Sequence, residues 1–247
     1  MNFSSKKLEN YASYLSDFLQ ETLKNTKKTG YVLGVSTGID STLCAKFLST
    51  SSFENIYLYM FHKRDSEQKK LIKKLEKKFQ ITVLKINLAP IIKQYQKIFM
   101  NQKIKFENLI PRIRMNILYL FANNFNKLVL GTSNFDEWNL GYFTKFGDGA
   151  SDVQLFLNTP KKVIFLLAKF LKVPKIFIDK PPSADLYEGQ TDEKELKFSY
   201  EDSFNYFFNQ KNNLSKDTVK KIEKWKNSSF HKKNSLNFPS KFLEFFN

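Results

Sequence analysis

Up to residue 131 the chain alternates short apolar runs with longer amphipathic stretches, and this alternation restricts the available folds more than any other feature. Tyr31-Val-Leu-Gly-Val35 is an apolar run bounded by glycine, the pattern of a strand buried on both faces. Residues 55–61, 81–88 and 127–131 read as three further strands. Helical patterns lie around them: residues 5–28, with Leu8, Tyr11, Leu15, Phe18, Leu19 and Leu23 at helical spacing and Gly30 just beyond; Ser41 to about Ser49; the lysine-rich stretch 66–79; a helix opening at Pro90; and residues 108–124. This order predicts an α/β fold, a doubly wound, mostly parallel sheet with helices on both faces. From 132 to 247 the alternation stops. A Gly-rich segment at 141–149, a break at Pro181-Pro182 and helical patterns near 192–209 and 216–228 read as a loop-rich cap without a core of its own. We expect a single domain over 1–247, divided into an α/β core at 1–132 and a loop-rich, helical part at 133–247.

Composition excludes several classes. No apolar stretch approaches the roughly 20 residues that span a bilayer, and residues 1–10 lack the apolar segment of a signal peptide. Cys44 is the only cysteine, so neither a disulfide within the chain nor a cysteine-based metal cage is possible. A cytoplasmic protein with no membrane partner is expected. Lysine and arginine number 40 against 24 acidic residues, a net charge of +16, which suits a polyanion such as RNA or a nucleotide. The lysines are scattered rather than gathered, and Lys, Asn, Ile and Phe are abundant together, as in compositional drift; a nucleic-acid partner is therefore not expected. Arginine occurs only at 64, 112 and 114, so the pair Arg112 and Arg114 suggests a need for the planar guanidinium fork.

The clearest chemical feature is Gly34-Val35-Ser36-Thr37-Gly38-Ile39-Asp40-Ser41, which follows a buried strand and opens a helix. In that setting backbone N–H groups face an anion, small residues admit a phosphate, and Ser36 and Ser41 add hydroxyls. Asp40 would repel phosphate unless it holds Mg²⁺ between them. A plain βα turn, with Asp40 and Ser41 capping the helix, accounts for the same residues without a ligand. The pattern is neither a Walker loop nor a dinucleotide GxGxxG turn.

The loop resembles the SGGxDS pyrophosphate loop of the N-type ATP pyrophosphatases. Thr37 stands where that family has its first glycine, and a β-branched residue does not readily take a left-handed conformation. The expectation is therefore no positive φ at Thr37, or an altered loop. Further blocks resemble NAD synthetases in family order across residues 30–233: Asn108-Leu-Ile-Pro-Arg-Ile-Arg-Met115, with Pro111 in the usual alanine place; Gly131-Thr-Ser-Asn-Phe-Asp-Glu137; the segment 141–149 with Asp152; Lys180-Pro-Pro-Ser-Ala-Asp-Leu186; Gly189-Gln-Thr-Asp-Glu193; and His231-Lys232.

The resemblance implies a Rossmann-like fold of the adenine nucleotide alpha-hydrolase type, ATP and Mg²⁺, and a homodimer. It implies that Thr132, Lys161 and Ser183 touch ATP with the loop 34–41, and that Arg112, Lys145, Asp152, His231 and Lys232 hold deamido-NAD. Asp40 and Lys161 would be the catalytic groups. Glu137, soon after a strand's C-terminal end, would join Asp40 on the metal. Bland roles compete: a solvated loop carboxylate for Glu137, a surface lysine for Lys161, an exposed helix cation for Arg112, a structural imidazole for His231. The implied reaction adenylates the pyridine carboxylate of deamido-NAD, and ammonia then displaces AMP. With the loop beginning near residue 34, no room is left for an amidase domain, so free ammonia, or ammonia supplied by a separate protein, is the expected nitrogen source. The alternatives are another adenylating enzyme, such as a tRNA-modifying one, and a non-catalytic nucleotide- or RNA-binding module. Thiolation usually needs cysteines beyond Cys44, and Asp40, Glu137 and Lys161 together argue against a dead enzyme.

Overall fold

The computed structural model describes residues 3–63, 65–99, 106–183, 191–208 and 214–233. Arg64 and the motif positions 184–190 lie outside the described residues. The sheet has strands β1 (Tyr31–Gly34), β2 (Ile56–Phe61), β3 (Val83–Asn87), β4 (Leu128–Gly131) and β5 (Val153–Gln154), in the order β3-β2-β1-β4-β5, and every pairing is parallel. This is the expected α/β class.

Side chains along each strand alternate between two cores, as the pleat requires. Tyr31, Leu33, Tyr57, Tyr59, Leu128 and Leu130 face a core built from α1 (Ser5–Thr26), α2 (Ile39–Ser49), α3 (Ser66–Phe79), α7 (Lys161–Phe170) and α8 (Lys175–Ile178). Val32, Leu58, Met60 and Val129 face the other way, onto α4 (Ala89–Ile98) and α5 (Leu109–Asn124). Both faces are covered, which is why the central strands read as unbroken apolar runs. The helix ends are written locally. Asp65 accepts the Gln68 N–H to start α3, and Gln80, at φ 55°, ends it in a left-handed cap.

Beyond residue 132 the structure is richer than the sequence suggests. β5 extends the sheet next to β4, and α7 is a ten-residue helix in the main core rather than part of a loop region. The helical pattern near 192–209 is two helices, α9 (Asp192–Leu196) and α10 (Tyr200–Phe207), divided by a left-handed Lys197 and a Ser199–Asp202 capping box. With α6 (Phe135–Leu140) and α11 (Lys216–Ser228) they enclose a small core of their own around Leu140, Leu196, Phe198, Tyr206 and Ile222. A last short helix, α12, spans Phe230–Lys233. No helix among the described residues is long and apolar enough to cross a membrane.

Gly30 sits at the entrance of β1 with the Glu54 backbone against it; a Cβ there would lie 2.2 Å from the Glu54 carbonyl oxygen. Gly30→Ala should therefore cost about 2 kcal/mol by forcing β1 away from the β2 approach. Thermal unfolding should show a melting temperature lowered by about 4–8 °C.

Candidate active site

The strand order reverses between β1 and β4: the chain moves outward one way from β1 and the other way from β4. Open parallel sheets bind ligands in the crevice left at such a point, beyond the strands' C-terminal ends. Here the crevice is a cavity of about 440 Å³. Its floor is the turn after β1.

That turn is held by its own hydroxyls. The Ser36 N–H donates to Ser41 Oγ at 3.2 Å, the two hydroxyls share a 3.0 Å bond, and the Gly38 N–H donates to Ser36 Oγ at 3.3 Å. Gly38 is the N-cap of α2 and supplies no side-chain cap, so the first N–H groups of that helix meet the cavity. Neither Asp40 nor Ser41 caps the helix as a plain turn would have it. Thr37 has φ 66°, so the loop does take the left-handed conformation at this position, and threonine adopts it. It can do so because its side chain is wholly buried and bonded: Lys180 Nζ donates to Thr37 Oγ1 at 2.9 Å.

Above the turn, three segments converge on one ammonium. Lys161, at the start of α7 and 2% exposed, donates to Asp40 Oδ2 at 2.5 Å and lies 3.8 Å from Glu137 Oε1. Burial works against its charge, but Asp40, then Glu137 and Asp192 outweigh it and raise its pKa. Asn134 holds both carboxylates: its Nδ2 donates to Asp40 Oδ1 at 3.1 Å, and it forms a capping box with Glu137 at the start of α6. Burial, then the Asp40 charge, pushes the Glu137 carboxyl well above the usual carboxylate range. Asp192 is nearly buried and accepts from Tyr200 Oη at 2.7 Å; burial raises its pKa as well. Asp136 fixes the backbone beneath: it accepts the Lys161 N–H at 2.7 Å and the Ser203 hydroxyl at 2.5 Å.

The sequence-derived residues fall into three sets. Gly34, Val35, Ser36, Gly38, Ile39, Asp40, Ser41, Thr132, Glu137, Lys161, Ser183 and Lys232 line the cavity. Lys232 Nζ donates to the Gly141 and Phe143 carbonyls at 2.8 and 2.9 Å, and burial lowers its pKa. Arg112, Lys145 and His231 form a chain outside the lining: Arg112 Nε donates to the Lys145 carbonyl at 3.3 Å, and Lys145 Nζ to the His231 carbonyl at 2.7 Å. Asp152 stands apart, accepting the Val129 N–H at 2.7 Å and Tyr119 Oη at 3.3 Å, an anchor between β4 and α5.

Asn134, Asp136, Lys180 and Asp192 fall inside blocks the sequence analysis noted, and Arg114 in the arginine pair, but sequence reasoning gave none of them a role in the site. The spacing Asn134-x-x-Glu137 was a readable capping signature. Arg114, not Arg112, is the arginine of the pair that lines the cavity. Tyr142, Phe143 and Trp225 complete an aromatic wall, with Trp138 stacked on Phe143 at 5.0 Å.

Known proteins of one kind are similar to the chain that carries this site. The family model described as NAD synthase matches residues 11–236. An NH(3)-dependent NAD(+) synthetase of Mycoplasmopsis pulmonis is 35% identical over 248 residues, 98% of this chain and 95% of the relative. One of Thermococcus kodakarensis is 40% identical over 193 residues, 75% of this chain and 74% of the relative. Among solved structures, an NMN synthetase from Francisella tularensis superposes with a TM-score of 0.90 at 31% identity, over 97% of this chain and 100% of that one. The cavity at the strand-order reversal is thus set in a chain that belongs to the NAD synthase family.

Proposed function

We propose that the chain uses ATP to amidate deamido-NAD with ammonia, through an acyl-adenylate, giving NAD, AMP and pyrophosphate. The observation that carries this reading is the Lys161 ammonium between Asp40 and Glu137 directly above the Ser36–Ser41 turn. Near full-length similarity to NH(3)-dependent NAD(+) synthetases supports the choice of reaction and of ammonia.

A carboxylate cannot be amidated directly because oxide is a poor leaving group. An oxygen of the pyridine carboxylate attacks the α-phosphorus of ATP, and the bond to the β-phosphate oxygen breaks. Ammonia then attacks the acyl carbon, AMP leaves, and the ammonium formed loses its proton. The turn and the N-terminus of α2 receive the β and γ phosphates. Lys161 moves from Asp40 to the α-phosphate, where charge develops in the transition state. Thr132 and Ser183 lie on the wall that takes the adenosine. Tyr142, Phe143 and Trp225 exclude water from the adenylate.

The site fits Mg²⁺. Asp40 and Glu137 stand beside each other at Lys161, and the crowding by Asp40 that helps raise the Glu137 carboxyl is what a divalent cation would relieve. No cluster of three or more metal-ligating side chains occurs among the described residues, but Mg²⁺ takes one or two carboxylates plus substrate phosphates. Asp40 and Glu137 would hold it, and it would neutralise charge on the departing pyrophosphate.

A homodimer belongs to the same reading. Ile91, Tyr95 and Ile98 on α4 and Leu120 on α5 are exposed apolar side chains on the outer face of the second core, a surface suited to a second copy. Metabolites of this kind suit a cytoplasmic setting. A second reading has one specific support: similarity to a protein named NMN synthetase favours the mononucleotide acid as the substrate.

The test is the purified protein with ATP, Mg²⁺ and ammonium, and either deamido-NAD or nicotinic acid mononucleotide, while AMP and the amide are monitored. AMP formed only with the dinucleotide supports the first reading; a higher kcat/KM for the mononucleotide replaces it with the second. Glutamine should not substitute for ammonium, and RNA should neither be required nor compete. Asp40→Asn should abolish turnover with an unchanged circular dichroism spectrum; near-normal turnover would remove Asp40 from the metal. Lys161→Met should cut kcat by about 10²–10³. It should also lower the melting temperature, because three carboxylates then face each other, and Mg²⁺ should restore part of the loss. A Mg²⁺ response equal to that of the unaltered protein would count against this charge balance.

A further inference from the structure

Seven non-glycine residues among those described have positive φ, and Thr37 is the only β-branched one. Lys27, Gln80 and Lys197 terminate helices, where left-handed residues are ordinary. Thr37 has no such excuse. Its Cβ makes the left-handed conformation cost about 1–2 kcal/mol that glycine would not incur. Strain of this kind persists where the surroundings hold it, and it gathers at functional sites.

What holds Thr37 is its hydroxyl. It accepts from Lys180 Nζ at 2.9 Å and has a longer 3.5 Å contact to Gln68 Oε1 on α3, in a side chain with no exposed surface. Lys180 is 143 positions away in sequence, at the head of Pro181-Pro182, and all three line the cavity with Ser36, Gly38 and Ser41. The two prolines restrict the backbone just after the lysine. Lys180 therefore approaches the turn from a stiff segment, and the threonine hydroxyl fixes where its ammonium rests. Lys161 occupies the opposite situation: it is locked among Asp40, Glu137 and Asp192, over the part of the site next to α2 and α6. The two lysines thus address different parts of one anion.

We propose that Thr37 is a positioning residue whose hydroxyl holds the Lys180 ammonium on the β and γ phosphates of ATP, the half of the nucleotide that leaves as pyrophosphate. The inference rests on the reading that ATP occupies this cavity. It explains why the strained threonine is retained: the hydroxyl supplies an anchor for a cation that a glycine turn lacks. A charge-assisted bond from lysine to phosphate contributes roughly 1.5–3 kcal/mol, which corresponds to at least about tenfold in affinity.

The experiment compares Thr37→Gly, Thr37→Ser and Lys180→Met, and the Thr37→Gly/Lys180→Met double variant. It reads the melting temperature with and without Mg-ATP, the KM for ATP, kcat, and inhibition by pyrophosphate. Thr37→Gly should melt at or above the temperature of the unaltered protein, since it relieves strain. Yet its KM for ATP and its inhibition constant for pyrophosphate should rise together about tenfold, with kcat changed less than about twofold. Thr37→Ser, which keeps the hydroxyl, should stay within about threefold. Lys180→Met should lose at least as much as Thr37→Gly, and the double variant should be no worse than Lys180→Met alone, because Thr37 acts through Lys180. Unchanged ATP and pyrophosphate constants in Thr37→Gly, or losses that multiply in the double variant, would overturn the inference while leaving the proposed reaction in place. An unaltered protein that Mg-ATP does not stabilise at all overturns the ATP reading itself, and the inference with it.

Discussion

Lys161 ties the start of α7 to the turn after β1 and the helix after β4: its ammonium meets Asp40 and Glu137, and its backbone N–H donates to Asp136. A buried lysine facing Asp40, Glu137 and Asp192 is a poor way to stabilise a fold. Desolvation consumes most of the Coulombic gain, and apolar side chains of similar volume would hold the same segments at least as well. The surplus of negative charge makes the arrangement worse as a staple and better as a receptor. A divalent cation would offset it and bridge the carboxylates to a polyanion. The supports around it follow that logic. Asn134 binds Asp40 and caps α6 through Glu137, and Asp136 ties the Lys161 backbone to Ser203 on α10, so the charged atoms are aligned before any ligand arrives.

The parallel sheet was legible because its central strands are covered on both sides and carry no polar alternation. α3 was legible to the residue, since Asp65 and Gln80 mark its ends. β5 was not: two residues, Val153 and Gln154, contain no periodicity, and only the neighbouring β4 makes them a strand. The break between α9 and α10 was written in Ser199-x-x-Asp202, but the apolar spacing runs across it and hides it. In the site, Asp40 came from the loop after β1, Glu137 from its place after a strand and from the family resemblance, and Lys161 from the resemblance alone; the fold brings them within contact distance. Asp136, Asp192 and Lys180 fall inside blocks of that resemblance, but their roles were not legible because their partners lie 25, 8 and 143 positions away.

Lysine illustrates the same limit from another side. In a chain with so many, residue type carries little information about role. Burial restores it. Lys161 is enclosed by carboxylates, Lys232 is half-buried against the Gly141 and Phe143 carbonyls, and Lys180 is bonded to Thr37, whereas Lys6 and Lys175 only meet neighbours on their own helices. The first three line one cavity. The net charge of +16 is thus two populations: a solvated majority that keeps the chain soluble, and a few cations placed where anions are handled.

The size of that cavity bears on what the acid substrate can be. About 440 Å³ lies toward the small end of the roughly 300–1,000 Å³ typical of ligand pockets. A triphosphate nucleotide fills most of it, so a second molecule with two nucleotides must extend past the aromatic wall. On the proposed reading it would extend toward Arg112, Lys145 and His231, which are linked through main-chain carbonyls. The Arg112 bond to the Lys145 carbonyl uses Nε, one of five guanidinium donors, and leaves four that a phosphate or carboxylate could meet. In that reading, activation belongs to the interior around Lys161, and the length of the acid would be judged at the rim. In such an arrangement a change from a dinucleotide to a mononucleotide substrate needs no change at Asp40, Glu137 or Lys161.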